Sequence, residues 1–121
     1  MTDFLRQMAE KADDGIMYAD ENGIIRYWND GCERIFGFSH FEALGGSLNI
    51  IIPEKHRDRH WKGWAKVLET GETAYHGKML KVPAIKKDGE KLIIEFSIQI
   101  IQEHGKNAGF TAIVRDVTPR S

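Results

Sequence analysis

Cysteine is nearly absent from this sequence, no long apolar run occurs, and neither sign of charge prevails. Cys32 stands alone, so an internal disulfide is impossible and a cysteine-rich zinc site is excluded. No stretch approaches the ~20 apolar residues that carry a helix across a bilayer. The opening residues, MTDFLRQMAEKADD, hold acidic charges and no unbroken apolar core, unlike a signal peptide. A reducing, cytoplasmic setting without membrane contact is therefore expected. The 17 Lys and Arg residues face 18 Asp and Glu, a formal net charge of −1. No basic stripe stands apart from acidic neighbours, so a nucleic-acid surface, which must displace counterions, is not expected. Repeats, low-complexity segments and internal linkers are also missing. What remains is 121 residues, 41% hydrophobic and 29% charged, enough for one domain with one core.

The pattern changes period partway along. Phe4, Leu5, Met8 and Ala12 fall at helical spacing. Gly15–Asp20 reads as a strand, Asn22-Gly23 as a hairpin turn, and Ile24–Trp28 as the returning strand. Asn29-Asp30 can cap a short helix over Gly31–Phe36 that Gly37 ends, and Ser39 with Glu42 forms a capping box for another turn. Leu48–Ile52 is a brief apolar stretch. Pro53 then opens a helical pattern that ends at Gly71. Beyond it Tyr75–Ile85, Lys91–Ile101 and Gly109–Val117 are strand-like. Leu92, Ile94, Phe96, Ile98 and Ile100 mark one strongly apolar face. Strands and helices in this order predict an α+β domain, an antiparallel sheet covered on one face by helices.

Gly15–Asp20, Asn22-Gly23-Ile24-Ile25, Trp28-Asn29, Glu33–Phe38, Ile52-Pro53-Glu54, Lys87-Asp88-Gly89 and Arg115–Thr118, in that order and at those spacings, resemble a PAS domain. This is the sensory module of many bacterial kinases, cyclases and chemoreceptors. The resemblance implies the PAS fold: a five-stranded antiparallel sheet in the order 2-1-5-4-3, with helices and a cofactor-sized cavity on one face. It divides the chain into an N-terminal cap helix within residues 1–14 and a PAS domain over residues 15–118. It further implies homodimerisation through the cap helix, and a signal leaving at Asp116-Val117-Thr118 for an effector domain or protein.

His60 carries the chemistry of interest. On a helix through residues 54–69, Trp61, Trp64, Ala65, Val67 and Leu68 form an apolar stripe, with Asp58, Arg59, Lys62 and Lys66 opposite. His60 lies at the edge of the stripe on the cavity side, where a neutral imidazole suits a haem iron. Pro53–His60 is similar to the matching segment of haem-binding PAS sensors of the FixL and Dos types, whose proximal histidine falls at His60. That similarity implies haem b, and sensing of a diatomic gas (O2, CO or NO) or of redox state. It places Trp64 and Val67 at the cofactor, Phe96 and Ile98 on the distal wall, and Lys66 near a propionate. Where FixL-type sensors have an arginine this chain has Leu80. Where Dos-type sensors have a methionine it has Lys78, with Met79 one residue on as the expected sixth ligand in preference to His76.

The alternative is a haem-free PAS module that dimerises, or that binds flavin (FAD or FMN) or another small ligand. Other constellations are weaker. His56 and His60 stand one helical turn apart, but no third metal ligand or catalytic glutamate accompanies them. Gly31–Ile35 does not match the Asn-Cys-Arg-Phe-Leu-Gln run of flavin-adduct relatives, so Cys32 reads as a structural thiol. Gly45-Gly46 lacks the Lys and Ser or Thr of a phosphate cradle. No nucleophile with a base and an orienting acid emerges, and the domain is not expected to be an enzyme.

Overall fold

The structure, a computed structural model, describes residues 3–71 and 79–119. Helix α1 (Asp3–Lys11) leads into strands β1 (Gly15–Asp20) and β2 (Ile25–Trp28), then helices α2 (Asp30–Phe36) and α3 (His40–Ala43). Single 3-10 turns at Leu48–Ile51 and Glu54–His56 precede α4 (Arg57–Thr70), and strands β3 (Leu80–Ile85), β4 (Lys91–Glu103) and β5 (Lys106–Asp116) finish the chain. The five strands form one antiparallel sheet in the order β2-β1-β5-β4-β3. The predicted order is the observed one.

Local chemistry sets the boundaries. Asn29 caps α2 by accepting from the Cys32 N–H, Gly37 closes it in the left-handed region at φ 82°, and Ser39 and Glu42 form the capping box of α3. Four boundaries differ most from expectation. Pro53 opens a 3-10 turn, and the α-helix proper starts at Arg57. β2 begins one residue late, because Ile24 is drawn into an isolated bridge with Ser47. β4 and β5 extend to Glu103 and Lys106, where the tight turn at His104 and Gly105 takes positive φ. The expected strand start at Tyr75 lies outside the described residues.

Asn29 ties the N-terminal half together. Only 2% exposed, it accepts from the N–H groups of Ile16 (2.8 Å) and Cys32 (3.0 Å). Its amide donates to the carbonyls of Ala9 (2.7 Å) and Asp14 (3.0 Å). Every polar atom of the buried side chain is thereby satisfied, which removes the penalty of burying an amide. Around it Ile25, Cys32 and Phe36 are fully buried, and Trp28 packs on Phe36 at 5.4 Å while its indole donates to the Phe38 carbonyl. At the exit, Thr118 accepts from the Ile93 N–H and donates to Asp116, fastening the end of β5 to β4.

Candidate ligand cavity

The sheet face that carries the core also bounds a cavity of about 400 Å³ beneath α4. Its floor consists of in-register rows across the strands, Met17–Ala112–Ile98 and Val114–Phe96–Leu80. Ala19, Ala84 and Ala112 offer only methyl groups there, and no residue of α4 is fully buried, so the helix stands off the sheet and leaves the space open. Helix α4 supplies His60, Trp64 and Val67 to the wall, and Leu48 and Ile51 close the end nearest the first 3-10 turn.

His60 is half-buried, its ring edge-on to Trp61 (4.5 Å) and tilted over Trp64 (5.6 Å). Trp64 continues the stack onto Phe110 at 4.3 Å. Burial pushes the His60 imidazole below its ordinary 6.5, so the ring is neutral at pH 7. Its Nδ1 is sealed from solvent and has no hydrogen-bond partner. Among the described wall residues only the His60, Lys66 and Trp64 side chains carry a nitrogen or oxygen, and the Trp64 indole N–H is already given to the Glu21 carbonyl at 3.0 Å. The cavity is thus an apolar chamber with one neutral imidazole. Its volume falls in the ~300–1,000 Å³ range of small-molecule sites.

Of the residues expected at a cofactor, the structure gathers His60, Trp64, Lys66, Val67, Leu80, Phe96 and Ile98 around this one cavity. Lys66 is exposed at its margin, and Ala65 of the expected apolar stripe faces solvent. Met79 immediately precedes β3, is 51% exposed and is not part of the wall, whereas His76 and Lys78 lie outside the described residues. Trp61 turns away from the cavity, its indole donating to Asn49 Oδ1 at 2.8 Å. His56 sits in its 3-10 turn and does not reach the wall. Cys32 is also elsewhere, fully buried, its thiol directed to the Ile16 carbonyl and pushed up to about 12 by burial. Among the described residues no three His, Cys, Asp or Glu side chains come together as a metal cluster. Met17, Phe110, Ala112 and Val114 were not singled out as site residues. Alternation along β1 and β5 was the available signal, since the floor takes every second residue.

The chain belongs to the PAS family, whose fold matches residues 3–117. It is similar to the sensor protein FixL of Bradyrhizobium diazoefficiens, with 32% identity over 114 residues that cover 94% of this chain and 22% of the relative. The oxygen sensor protein DosP of Escherichia coli is 26% identical over 104 residues, 86% of this chain and 13% of the relative. The chain therefore spans less than a quarter of either curated relative's length. Among solved structures, the PAS domain of a Colwellia psychrerythraea protein superposes with a TM-score of 0.79 at 25% identity, covering 98% of this chain and 100% of that one. Among the described residues no helix is long and apolar enough to cross a membrane.

Proposed function

We propose that this PAS domain is a haem-based sensor that holds haem b in the cavity beneath α4 through His60 and reports a diatomic gas or redox state. The observation that carries the reading is an imidazole whose buried Nδ1 has no partner, at the wall of an otherwise apolar chamber whose burial favours the neutral ring. An imidazole kept uncharged retains the lone pair an iron needs. The donor set fits haem: His60 for the iron, Trp64, Val67, Phe96 and Ile98 for the porphyrin faces, and Lys66 at the margin for a propionate. It fits flavin less well, since among the described residues no Asn or Gln side chain lines the wall to meet a polar ring, and the Cys32 thiol is neither there nor ionised. When bound, haem would supply the iron that takes up the gas or the electron. The protein's residues hold it, exclude water and sense its position. The similarity to FixL and DosP supports the same reading.

Signalling would be non-catalytic and cytoplasmic, passing from the sheet to an effector domain or protein. A second copy is a further partner. Phe4, Leu5 and Met8 of α1 are 63%, 45% and 65% exposed, and no residue of the helix is buried. A nine-residue amphipathic helix is too short to hold its shape in water unaided, which favours burial of this stripe in a homodimer.

The test of the haem assignment is expression with ample haem, followed by absorption and iron-ligation spectroscopy of wild type, His60→Ala and His56→Ala. Wild type and His56→Ala should show an intense Soret band and a histidine-ligated iron, and His60→Ala should lose the ligation. A wild type without a Soret band, or a His60→Ala protein with unchanged ligation, would refute it. For the dimer, sedimentation should show weakened self-association once residues 1–13 are deleted, and an unchanged state would rule out that role for α1.

A further inference from the structure

Among the described residues no hydrogen bond holds the His60 ring, and its buried Nδ1 has no partner. The ring's position is set by Trp61 and Trp64, and each of these is tied to the turn between β1 and β2. The Trp61 ring lies so close over Gly23 that a Cβ there would meet its Cη2 at 2.2 Å and its Cζ3 at 2.4 Å. The Trp64 indole donates to the Glu21 carbonyl at 3.0 Å. The turn in turn grips the chain below α4. The Gly23 carbonyl accepts from the Leu48 N–H (3.0 Å), and the next residue, Asn49, receives both the Trp61 indole (2.8 Å) and an Arg57 guanidinium N–H at its carbonyl (3.1 Å). These contacts form a closed circuit of turn, 3-10 segment, α4 and turn, with the imidazole packed against both indoles, which also touch each other at 5.4 Å.

Resting on the haem reading above, we infer that Trp61, Trp64 and Gly23 are positioning residues for His60, and that the β1–β2 turn and the imidazole move as one unit. A ring located by packing alone tilts whenever its neighbours shift, because no hydrogen bond fixes its orientation. The turn therefore sets the angle of the imidazole toward a bound iron. By reciprocity, a displacement of His60 is delivered to the turn, at the edge of the sheet. Gly23 is the point of closest contact, and only a residue without a side chain leaves room for the Trp61 ring. The turn is thus a second exit for a signal, at the opposite sheet edge from β3.

The experiment uses the whole chain and begins without haem. Gly23→Ala is compared with Gly89→Ala, a hairpin glycine at a similar positive φ (87° against 75°) with nothing within 4 Å of its would-be Cβ. Both substitutions carry the backbone strain, and only the first displaces Trp61. Trp64→Phe, which removes the link to Glu21, is the second variant should Gly23→Ala fold poorly. The measurement is the nitrogen and carbon resonances of the His60 ring and the amide resonances of Glu21–Ile24. The expected result is a clear shift of the His60 signals in Gly23→Ala and Trp64→Phe, with none in Gly89→Ala, and a shift of the turn amides in Trp64→Phe. A purely structural role would lower the melting temperature and leave the ring signals in place. His60 signals that stay with the Gly89→Ala control in both variants overturn the inference. In haem-loaded protein, the iron–imidazole stretching band should move in Gly23→Ala and hold in Gly89→Ala, and an unmoved band overturns the positioning role toward the iron. If the ring signals shift but wild type takes up no haem, the coupling stands and only the haem assignment falls.

Discussion

Two helices cover the same face of the sheet, and only one of them buries residues fully against it. Helix α2 buries Gly31, Cys32 and Phe36, and its join to β1 is so close that a Cβ on Gly31 would meet the Asp14 carbonyl oxygen at 2.2 Å. Helix α4 is twice as long, at 14 residues against 7, and buries none of them. Apart from the Trp64 stack on Phe110, it is held by polar ties at intervals: Arg57 to the Ile52 and Asn49 carbonyls, Trp61 to Asn49, Trp64 to Glu21, and Asn107 to the Leu68 carbonyl. Apolar packing closes space, whereas hydrogen bonds at a few points can span it. The domain uses the first half for stability and keeps the second open for a ligand.

That contrast predicts unequal costs for equivalent truncations. Phe36→Ala should destabilise the domain by roughly 3–5 kcal/mol, a large share of the ~5–15 kcal/mol that holds a small domain folded. Val67→Ala, which only enlarges an existing cavity, should cost about 1 kcal/mol or less. Urea denaturation of the two variants decides it, and equal losses would show that α4 is as firmly packed as α2.

A smaller effect of opposite sign is expected at the cavity itself. His60→Leu removes a buried nitrogen that has no partner and leaves an apolar side chain against apolar walls. The ligand-free protein should gain about 1 kcal/mol, since an unmet buried polar group costs ~1–3 kcal/mol. A residue whose removal stabilises the empty domain is one retained for a ligand. Thermal melting of haem-free wild type and variant checks this, and a loss of stability would mean that the imidazole serves the fold.

The smallest effect concerns the turn that links the two halves. Burial raises the Asp20 carboxyl, but hydrogen bonds from Arg26 and from the Ile24 and Asn22 N–H groups, with the Arg26 charge, outweigh it and leave the group below its ordinary 3.8. The unfolded chain then takes up this proton first as pH falls. Stability that Asp20 contributes above 3.8 is lost as pH drops through the folded value. Asp20→Asn should be less stable than wild type at neutral pH and converge with it in acid. Denaturation midpoints across that range test it, and a constant gap would assign the loss to shape and not charge.

Much of this molecule was legible before any coordinates. Local rules governed it: Asn29, Gly37, Ser39 and Glu42 act on their own neighbours, so caps and turns lie where residue chemistry puts them. Alternation along Leu92–Ile100 was enough to assign the apolar face of β4, and the ordered motifs led to the family and its strand order. The placement of His60 at the cavity edge was equally legible, because helical spacing relates it to Trp64 and Val67. What spacing could not reveal was how far α4 stands from the sheet. That distance depends on three alanines from three different strands, Ala19, Ala84 and Ala112, meeting at one place. Nor could it separate Trp61 from Trp64, neighbours on one helix face that the tertiary structure sends to a glycine turn and to the cavity wall. Sequence decides what each short segment becomes, because those forces act within a few residues. Only the assembled fold decides where space is left, because a cavity is defined by residues far apart in the chain that do not touch.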